Sequence, residues 1–363
     1  MAQFLCVMTV LPAETEFMQS AEEAGLRYVS DEKPGYGRRG AGTGFSYIDM
    51  HGERITDPRT LKRLRSLVIP PAWTEVWISP SARSHIQATG RDARGRKQYI
   101  YHPEWQETRD KQKFTRTLEF ARALPAMREV VSKDMSGRKL DRRTVLATVI
   151  RLLESTLIRV GNRAYAEQNN SYGLTTLRNR HVDVNGVSIE FDFVGKSGKR
   201  HFVKLTDRRA TRIVKQLQEL PGQELFQYLD ENGERRVVDS ADVNEYLHEV
   251  SGEHFTAKDF RTWAGTVLAA WALSEFEKID SQAALRRNIT AAVKKVATRL
   301  GNTPAVCRSS YIHPEIFNCY LDGSLIEQLK REIEETLREN LAGLTSEETA
   351  VYLLLLSRLV DQT

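Results

Sequence analysis

The spacing of apolar residues changes once along this chain of 363 residues, near residue 103, and that change restricts the possible folds more than any other feature. Before it, short alternating or β-rich runs occur at 45–48, 73–79 and 98–101, with one helical stretch at 58–67. Five glycines and two arginines in 35–44 predict a mobile basic loop ahead of them. After it, apolar residues recur at helical spacing over 105–124 and 144–168, and again over 208–220, 240–250, 257–279, 281–300, 323–340 and 346–360. The expected fold is therefore α+β: a small β-rich N-terminal domain over 24–103, then a mainly helical domain over 104–363, joined by a short linker around 102–107. One hairpin interrupts the helical part. Val187, Ile189, Phe191 and Phe193 alternate, Ser197-Gly198 supplies a turn, and 201–205 alternates back, so Lys196 and Lys199 flank a hairpin tip.

Charge is distributed as unevenly as hydrophobicity. The net +5 conceals −4 over 1–23, +17 over 24–220, −7 over 221–260, +5 over 261–310 and −6 over 311–363. A surplus of that size over 24–220 suits a surface that faces phosphates, where neutralisation releases counterions. The acidic residues 1–23 lack the basic start of a signal peptide and read as a loose extension. Three cysteines, Cys6, Cys307 and Cys319, make no CxxC pair, so neither a disulfide framework nor a structural zinc site is expected, and no metal. A reducing cytoplasm fits that cysteine usage. Apolar runs such as 351–356 fall far short of the ~20 residues of a membrane span.

Several chemical motifs are missing. There is no G-x-x-x-x-G-K-[ST] and no strand-borne G-x-G-x-x-G, so no cofactor or nucleoside triphosphate is expected; H-E-x-x-H and G-x-S-x-G are absent too. What remains is an ordered set of basic groups and one tyrosine: Arg159 in Leu-Ile-Arg-Val-Gly-Asn, Lys196 in Phe-Val-Gly-Lys, Lys258 and Arg261 in Lys-Asp-Phe-Arg-Thr, then Asn302 in Gly-Asn-Thr-Pro and Tyr311 nine residues later.

In order and local context this set resembles the active site of type IB DNA topoisomerases, in particular their compact poxvirus-like bacterial branch. The likeness extends to the first domain. Gly90, Asp92, Arg94, Gly95, Arg96, Lys97, Gln98, Tyr99 and Tyr101 are similar to the family's Gly-x-Asp-x-[Lys/Arg]-Gly-Arg-[Arg/Lys]-Gln-Tyr-x-Tyr. Residues 159–181 resemble a further segment through Tyr165, Gly173, Leu174, Thr176, Leu177, Asn179 and His181. The fold this implies is the one shared by type IB topoisomerases and tyrosine recombinases.

The implied activity is relaxation of supercoiled duplex DNA through a 3′-phosphotyrosine on Tyr311, by a nucleoid-associated monomer clamped around the duplex. Each residue type suits its implied task. A phenol can attack a phosphodiester and keep the energy of the broken bond, so resealing needs no ATP. Arg159 and Arg261, as permanently charged forks, would hold the non-bridging oxygens. Lys196 on its hairpin would protonate the leaving 5′ oxygen. Poxviral and nuclear members carry histidine where this chain has Asn302, whose amide can donate a hydrogen bond without adding charge. Arg94, Arg96, Lys97, Gln98, Tyr99, Tyr101, Tyr165 and Arg178 are the implied DNA contacts. Lys258 is either a further proton donor or a phosphate contact, and Tyr99 with Tyr101 could equally form one packed face of a strand.

Two other functions are open to such a residue set. A tyrosine recombinase would use the same Arg, Lys, Arg and Tyr, but usually places His-x-x-Arg at the second arginine; here Lys258 stands three residues before Arg261. A non-catalytic DNA-binding protein on the same scaffold would retain the basic surface and lose one of the reacting groups. None is missing here.

Overall fold

A computed structural model describes residues 13–42, 44–93, 95–137, 139–276, 281–329 and 343–360. It divides into two compact units, 1–115 and 116–363.

In the first unit, five antiparallel strands, β1 (Tyr36–Ala41), β2 (Gly44–Ile48), β3 (Thr74–Ile78), β4 (Ile86–Arg91) and β5 (Lys97–Tyr101), form a sheet in the order β2-β1-β3-β4-β5. Helix α2 (Pro58–Ser66) starts at Pro58 and is capped by Asp57, whose carboxylate accepts from the Thr60 amide at 2.7 Å. It buries Leu64 with Tyr47, Ile69, Ile78 and Ala88. The stretch expected as a mobile loop is the β1–β2 hairpin. Its register is continuous from Gly37↔Ile48 to Ala41↔Gly44. Arg38 holds it by donating to the carbonyls of Ile69, Pro70 and Trp73 at 2.8–2.9 Å.

Residues 13–23 are no loose extension either, since they form helix α1 (Ala13–Glu23). Phe17, Ala21 and Ala24 recur at i, i+4, i+7 among acidic neighbours, and Ala21 is buried with Leu26 and Trp105. The Ser20 hydroxyl donates to Gln112 Oε1 at 2.8 Å, and Gln112 Nε2 donates to Glu23 at 2.8 Å.

The linker expected at 102–107 is instead the start of helix α3 (Pro103–Asp134), and the two units divide within it. Trp105 is buried, which anchors the helix start to the first unit.

The second unit is built around helix α4 (Arg142–Thr156). Its N-cap is Asp141, and Val145, Leu146, Ala147, Val149, Leu152 and Leu153 are fully buried. The helix expected over 144–168 stops at Thr156, because Leu157 turns left-handed at φ 59°; a short helix α5 (Arg163–Asn169) follows. The hairpin gains a third strand, giving β6 (Val182–Asn185), β7 (Ser188–Val194) and β8 (Arg200–Thr206), all antiparallel. Ile189, Phe191 and Phe193 enter the core, while Val187 stays 46% exposed just outside the strand.

Helix α6 (Arg208–Gln218), the short pair β9 (Gln227–Leu229) and β10 (Arg235–Val237), then α7 (Ser240–Ser251), α8 (Ala257–Ser274), α9 (Gln282–Leu300), α10 (Pro304–Ser310) and α11 (Pro314–Leu321) continue the chain. Most of the helix expected over 323–340 lies outside the described residues; 325–329 are helical, and a last helix spans Ser346–Val360. Among the described residues no helix is long and apolar enough to cross a membrane.

Candidate active site

Helix ends converge in the second unit. At the end of α4 the left-handed Leu157 turns the chain out of the helix, and Arg159 follows in a stretch without regular secondary structure. That strip is held by the segment 173–175. The Leu174 amide donates to the Arg159 carbonyl at 2.9 Å, and the Thr175 amide donates to that of Val160 at 2.7 Å. Gly173 packs so closely that a Cβ there would lie 2.5 Å from the Arg159 carbonyl oxygen. Arg159, expected within a helical pattern, therefore lies on a non-helical strip hydrogen-bonded to the segment 173–175.

Arg261 rises from the buried face of α8 and is 3% exposed. Its guanidinium donates to the Leu157 carbonyl at the end of α4, and to the Leu300 carbonyl at the end of α9 at 2.6 Å. Beyond α9, Gly301 adopts φ 62° and Asn302 follows, buried, with its amide bonded back to the Ala297 carbonyl at 2.9 Å. Arg159 donates to the Gly301 carbonyl at 3.2 Å and to Asn302 Oδ1. Thr303 and Pro304 then start α10, and Tyr311 caps its end. Gly265, one turn after Arg261, leaves no space for a Cβ beside the Tyr311 carbonyl. The half-buried Tyr311 ring has the Arg261 Cζ 5.3 Å from its centroid.

Lys196 stands exposed in the turn 196–198 between β7 and β8, and lines one cleft with Arg159, His201 and Arg261. Five of the residues singled out from the sequence thus gather through four elements. Lys258 is exposed one turn before Arg261 on α8. Tyr165 is 53% exposed on α5, and Arg178 lies over the Tyr172 ring at 5.7 Å.

The first unit carries the other expected contacts, described here within that unit alone. On β5, Tyr99 and Tyr101 stack at 5.8 Å; Tyr99 is exposed and Tyr101 is half-buried. Arg96 is paired with Asp92 at 2.7 Å and Lys97 with Asp31 at 2.7 Å, while Gln98 donates to Asp92 at 3.1 Å. Arg94 lies outside the described residues.

The buried Arg261 guanidinium and the half-buried one of Arg159 make the site cationic. Burial first, then the Arg159 charge, push the Arg261 guanidinium down to about 10, and burial holds Arg159 below its ordinary value. Arg261 Nε and Asn302 Nδ2 are buried donors without an acceptor in this structure. Spare donors beside desolvated cations fit a tetrahedral oxyanion better than any neutral ligand.

Sequence reasoning overlooked His201. It lies opposite Phe193 across the hairpin, its ring stacked on that of Phe193 at 5.2 Å, so alternation alone reads it as an ordinary strand residue. Burial, and then the charges of Arg159, Arg261 and Lys199, hold its imidazole below the ordinary histidine value. The unfolded chain therefore binds the proton more readily. This contribution to stability is complete above pH ~6.5 and is lost as pH falls below it. Thermal unfolding between pH 7 and 5 should accordingly show a smaller acid loss in His201→Phe than in the parent; equal slopes would contradict the burial.

Comparison with known proteins gives a consistent result. The family model described as eukaryotic DNA topoisomerase I, catalytic core, matches residues 102–354, and that described as bacterial DNA topoisomerase IB, N-terminal domain, matches 44–92. The chain is similar to DNA topoisomerase 1B of Acanthamoeba polyphaga mimivirus, with 32% identity over 86% of this chain and 99% of the relative. It is also similar to DNA topoisomerase 1B of vaccinia virus strain Copenhagen, with 23% identity over 74% and 84% of the two chains. DNA topoisomerase 1 of rabbit fibroma virus shows 23% identity over 75% and 85%.

Proposed function

This chain belongs to the type IB DNA topoisomerases, and on that premise we propose that it relaxes supercoiled duplex DNA as a monomer, using Tyr311 as nucleophile. The observation that carries the reading is Arg261. It is a buried cation that joins the ends of α4 and α9, with its Cζ 5.3 Å from the Tyr311 ring centroid.

In the forward step the Tyr311 hydroxyl oxygen bonds to the scissile phosphorus and gives up its proton to solvent water. The bond from phosphorus to the 5′ oxygen breaks, and Lys196 gives that oxygen a proton. The product is a 3′-phosphotyrosine and a free 5′-hydroxyl end, which rotates about the uncut strand. Religation is the reverse, with the 5′ hydroxyl attacking and Tyr311 leaving. One phosphodiester is exchanged for another, so the cycle balances without a nucleotide. Arg159 and Arg261 neutralise the charge gathering on the non-bridging oxygens, and Asn302 Nδ2 donates as a neutral partner. Lys258 lies on the same helix face region as Arg261, where it contacts a phosphate or supplies a second proton. Arg96, Lys97, Gln98, Tyr99, Tyr101, Tyr165 and Arg178 belong to the duplex-binding surface.

Supercoiled plasmid incubated with the protein in EDTA, without nucleotide, should yield relaxed circles, and detergent should trap a covalent protein–DNA adduct. If neither forms, the enzymatic reading is wrong; recombinant products would point to strand exchange instead.

Asn302 makes a graded prediction. Its Oδ1 is engaged by Arg159, so only Nδ2 is left for the phosphate. Removing one such donor costs roughly 10²-fold in rate. Asn302→Ala should therefore cleave about that much more slowly in single turnover, and cleavage at the parental rate would remove Asn302 from the reaction.

A further inference from the structure

His201 lies between two of the reacting groups without being one of them. A Cβ on Gly195 would meet its Cδ2 at 2.7 Å, and a Cβ on Gly301 would meet its Cε1 at 2.5 Å. Those glycines immediately precede Lys196 and Asn302. The ring is fixed from a third side by stacking on Phe193 at an interplanar angle of 13°. It lines the cleft that holds Arg159, Lys196 and Arg261, and also the neighbouring one that holds Lys199, Gly301 and Asn302. Lys199 Nζ bonds the Asn302 carbonyl at 3.4 Å, a second tie between the hairpin and the same turn.

We propose that His201 is a positioning residue, a ring-shaped wedge that sets the Lys196 turn against the Gly301–Asn302 turn so that acid and amide donor meet one phosphodiester.

The turn itself needs such support. Lys196 is exposed, Ser197 is left-handed at φ 65°, and the turn is closed by the Gly195 amide donating to the Lys199 carbonyl at 2.7 Å. On the side of Asn302, the ring of His201 fills the space that the missing side chain of Gly301 leaves open. The wedge acts through shape. Burial, and then the neighbouring charges of Arg159, Arg261 and Lys199, disfavour the protonated form of this imidazole. Misplacement of a reacting group by about 1 Å can cost 10²-fold in rate.

The proposal rests on Lys196 being the general acid, and the test separates the two. Single-turnover cleavage is measured with the parent, Lys196→Ala, His201→Ala and His201→Phe on two duplexes, one with the natural 5′ oxygen at the scissile phosphate and one with sulfur in that bridging position. Sulfur leaves as a thiolate and needs no proton.

The expected result is that His201→Ala cleaves the oxygen substrate about 10²-fold more slowly, that sulfur removes most of that deficit just as it does for Lys196→Ala, and that His201→Phe stays near the parental rate. If sulfur relieves Lys196→Ala but leaves His201→Ala equally slow on both duplexes, the wedge is overturned and Lys196 stands. If sulfur fails to relieve Lys196→Ala, the acid assignment falls and the wedge falls with it. Parental cleavage by His201→Ala, or His201→Phe as slow as His201→Ala, also overturns the wedge. Should His201→Ala not fold, His201→Gln, which keeps the reach but loses the ring, is read in its place by the same criteria.

Discussion

Tyr311→Phe is expected to bind duplex DNA as the parent does, and yet to form no covalent adduct and relax no plasmid. The substitution removes one oxygen and keeps the ring against the core of the second unit and near Arg261. Its effect on stability should be small, within about 1.5 kcal/mol, the range of a single hydrogen bond. The effect on rate should be of another order. Loss of an enzyme's nucleophile lowers turnover by about 10⁶-fold, which for a nicking reaction is indistinguishable from none. The contrast between a small change in Tm and an abolished reaction makes the experiment decisive. Relaxation or adduct formation by Tyr311→Phe would require another nucleophile, and the whole assignment built around Arg261 would then have to move.

How much of this was legible beforehand depended on how local the signal was. The period change near residue 103 separated the β-rich part from the helical part because both signals run over many residues. β9 and β10 escaped notice because three residues each cannot show a period. β1 was hidden by composition: a Gly-Arg-rich stretch reads as a loop, whereas pairing with β2 and β3 makes it a strand and Arg38 ties it to three carbonyls more than 30 residues away. The end of α4 was illegible for a related reason. A left-handed C-cap is normally announced by Gly or Asn, and here the position is Leu157, so the pattern read straight through to 168.

That misreading bears on function, since the same turn frees Arg159 from the helix. Arg159, Lys196, Arg261, Asn302 and Tyr311 were picked out by their resemblance, in order and local context, to the active site of type IB topoisomerases. Their support was not readable. Gly173 and Gly265 allow two backbones to approach closely and the His201 ring fills the space beside two glycines, and nothing in their types or spacing announces it.

In the proposed reaction Arg261 combines both kinds of role in one side chain, and its substitution should separate them. Arg261→Ala removes the donor to the Leu157 and Leu300 carbonyls, and leaving such buried groups unpaired costs about 1–3 kcal/mol each. Against this, the fold disfavours the charge it buries. The folded value near 10 lies below the ordinary arginine value, so the unfolded chain holds the proton more firmly. Between those two values this group makes stability rise with pH, and below about 10 it is a standing cost of folding. Removing the cation relieves that cost, so the net fall in Tm should be modest.

The catalytic loss has no such offset. The charge is favourable only when a phosphate stands beside it, and that is the state in which cleavage occurs. Arg261→Ala should lose at least about 10³-fold in single-turnover cleavage. Arg261→Lys should recover only part of this, because one ammonium cannot make the same fork to two carbonyls and a phosphoryl oxygen. Sulfate supplies an independent check, as a tetrahedral anion that binds the folded state alone would raise Tm by mass action. It should stabilise the parent more than Arg261→Ala. A variant that unfolds earlier, cleaves at the parental rate and keeps the full sulfate response would make Arg261 a brace between two helix ends and nothing more.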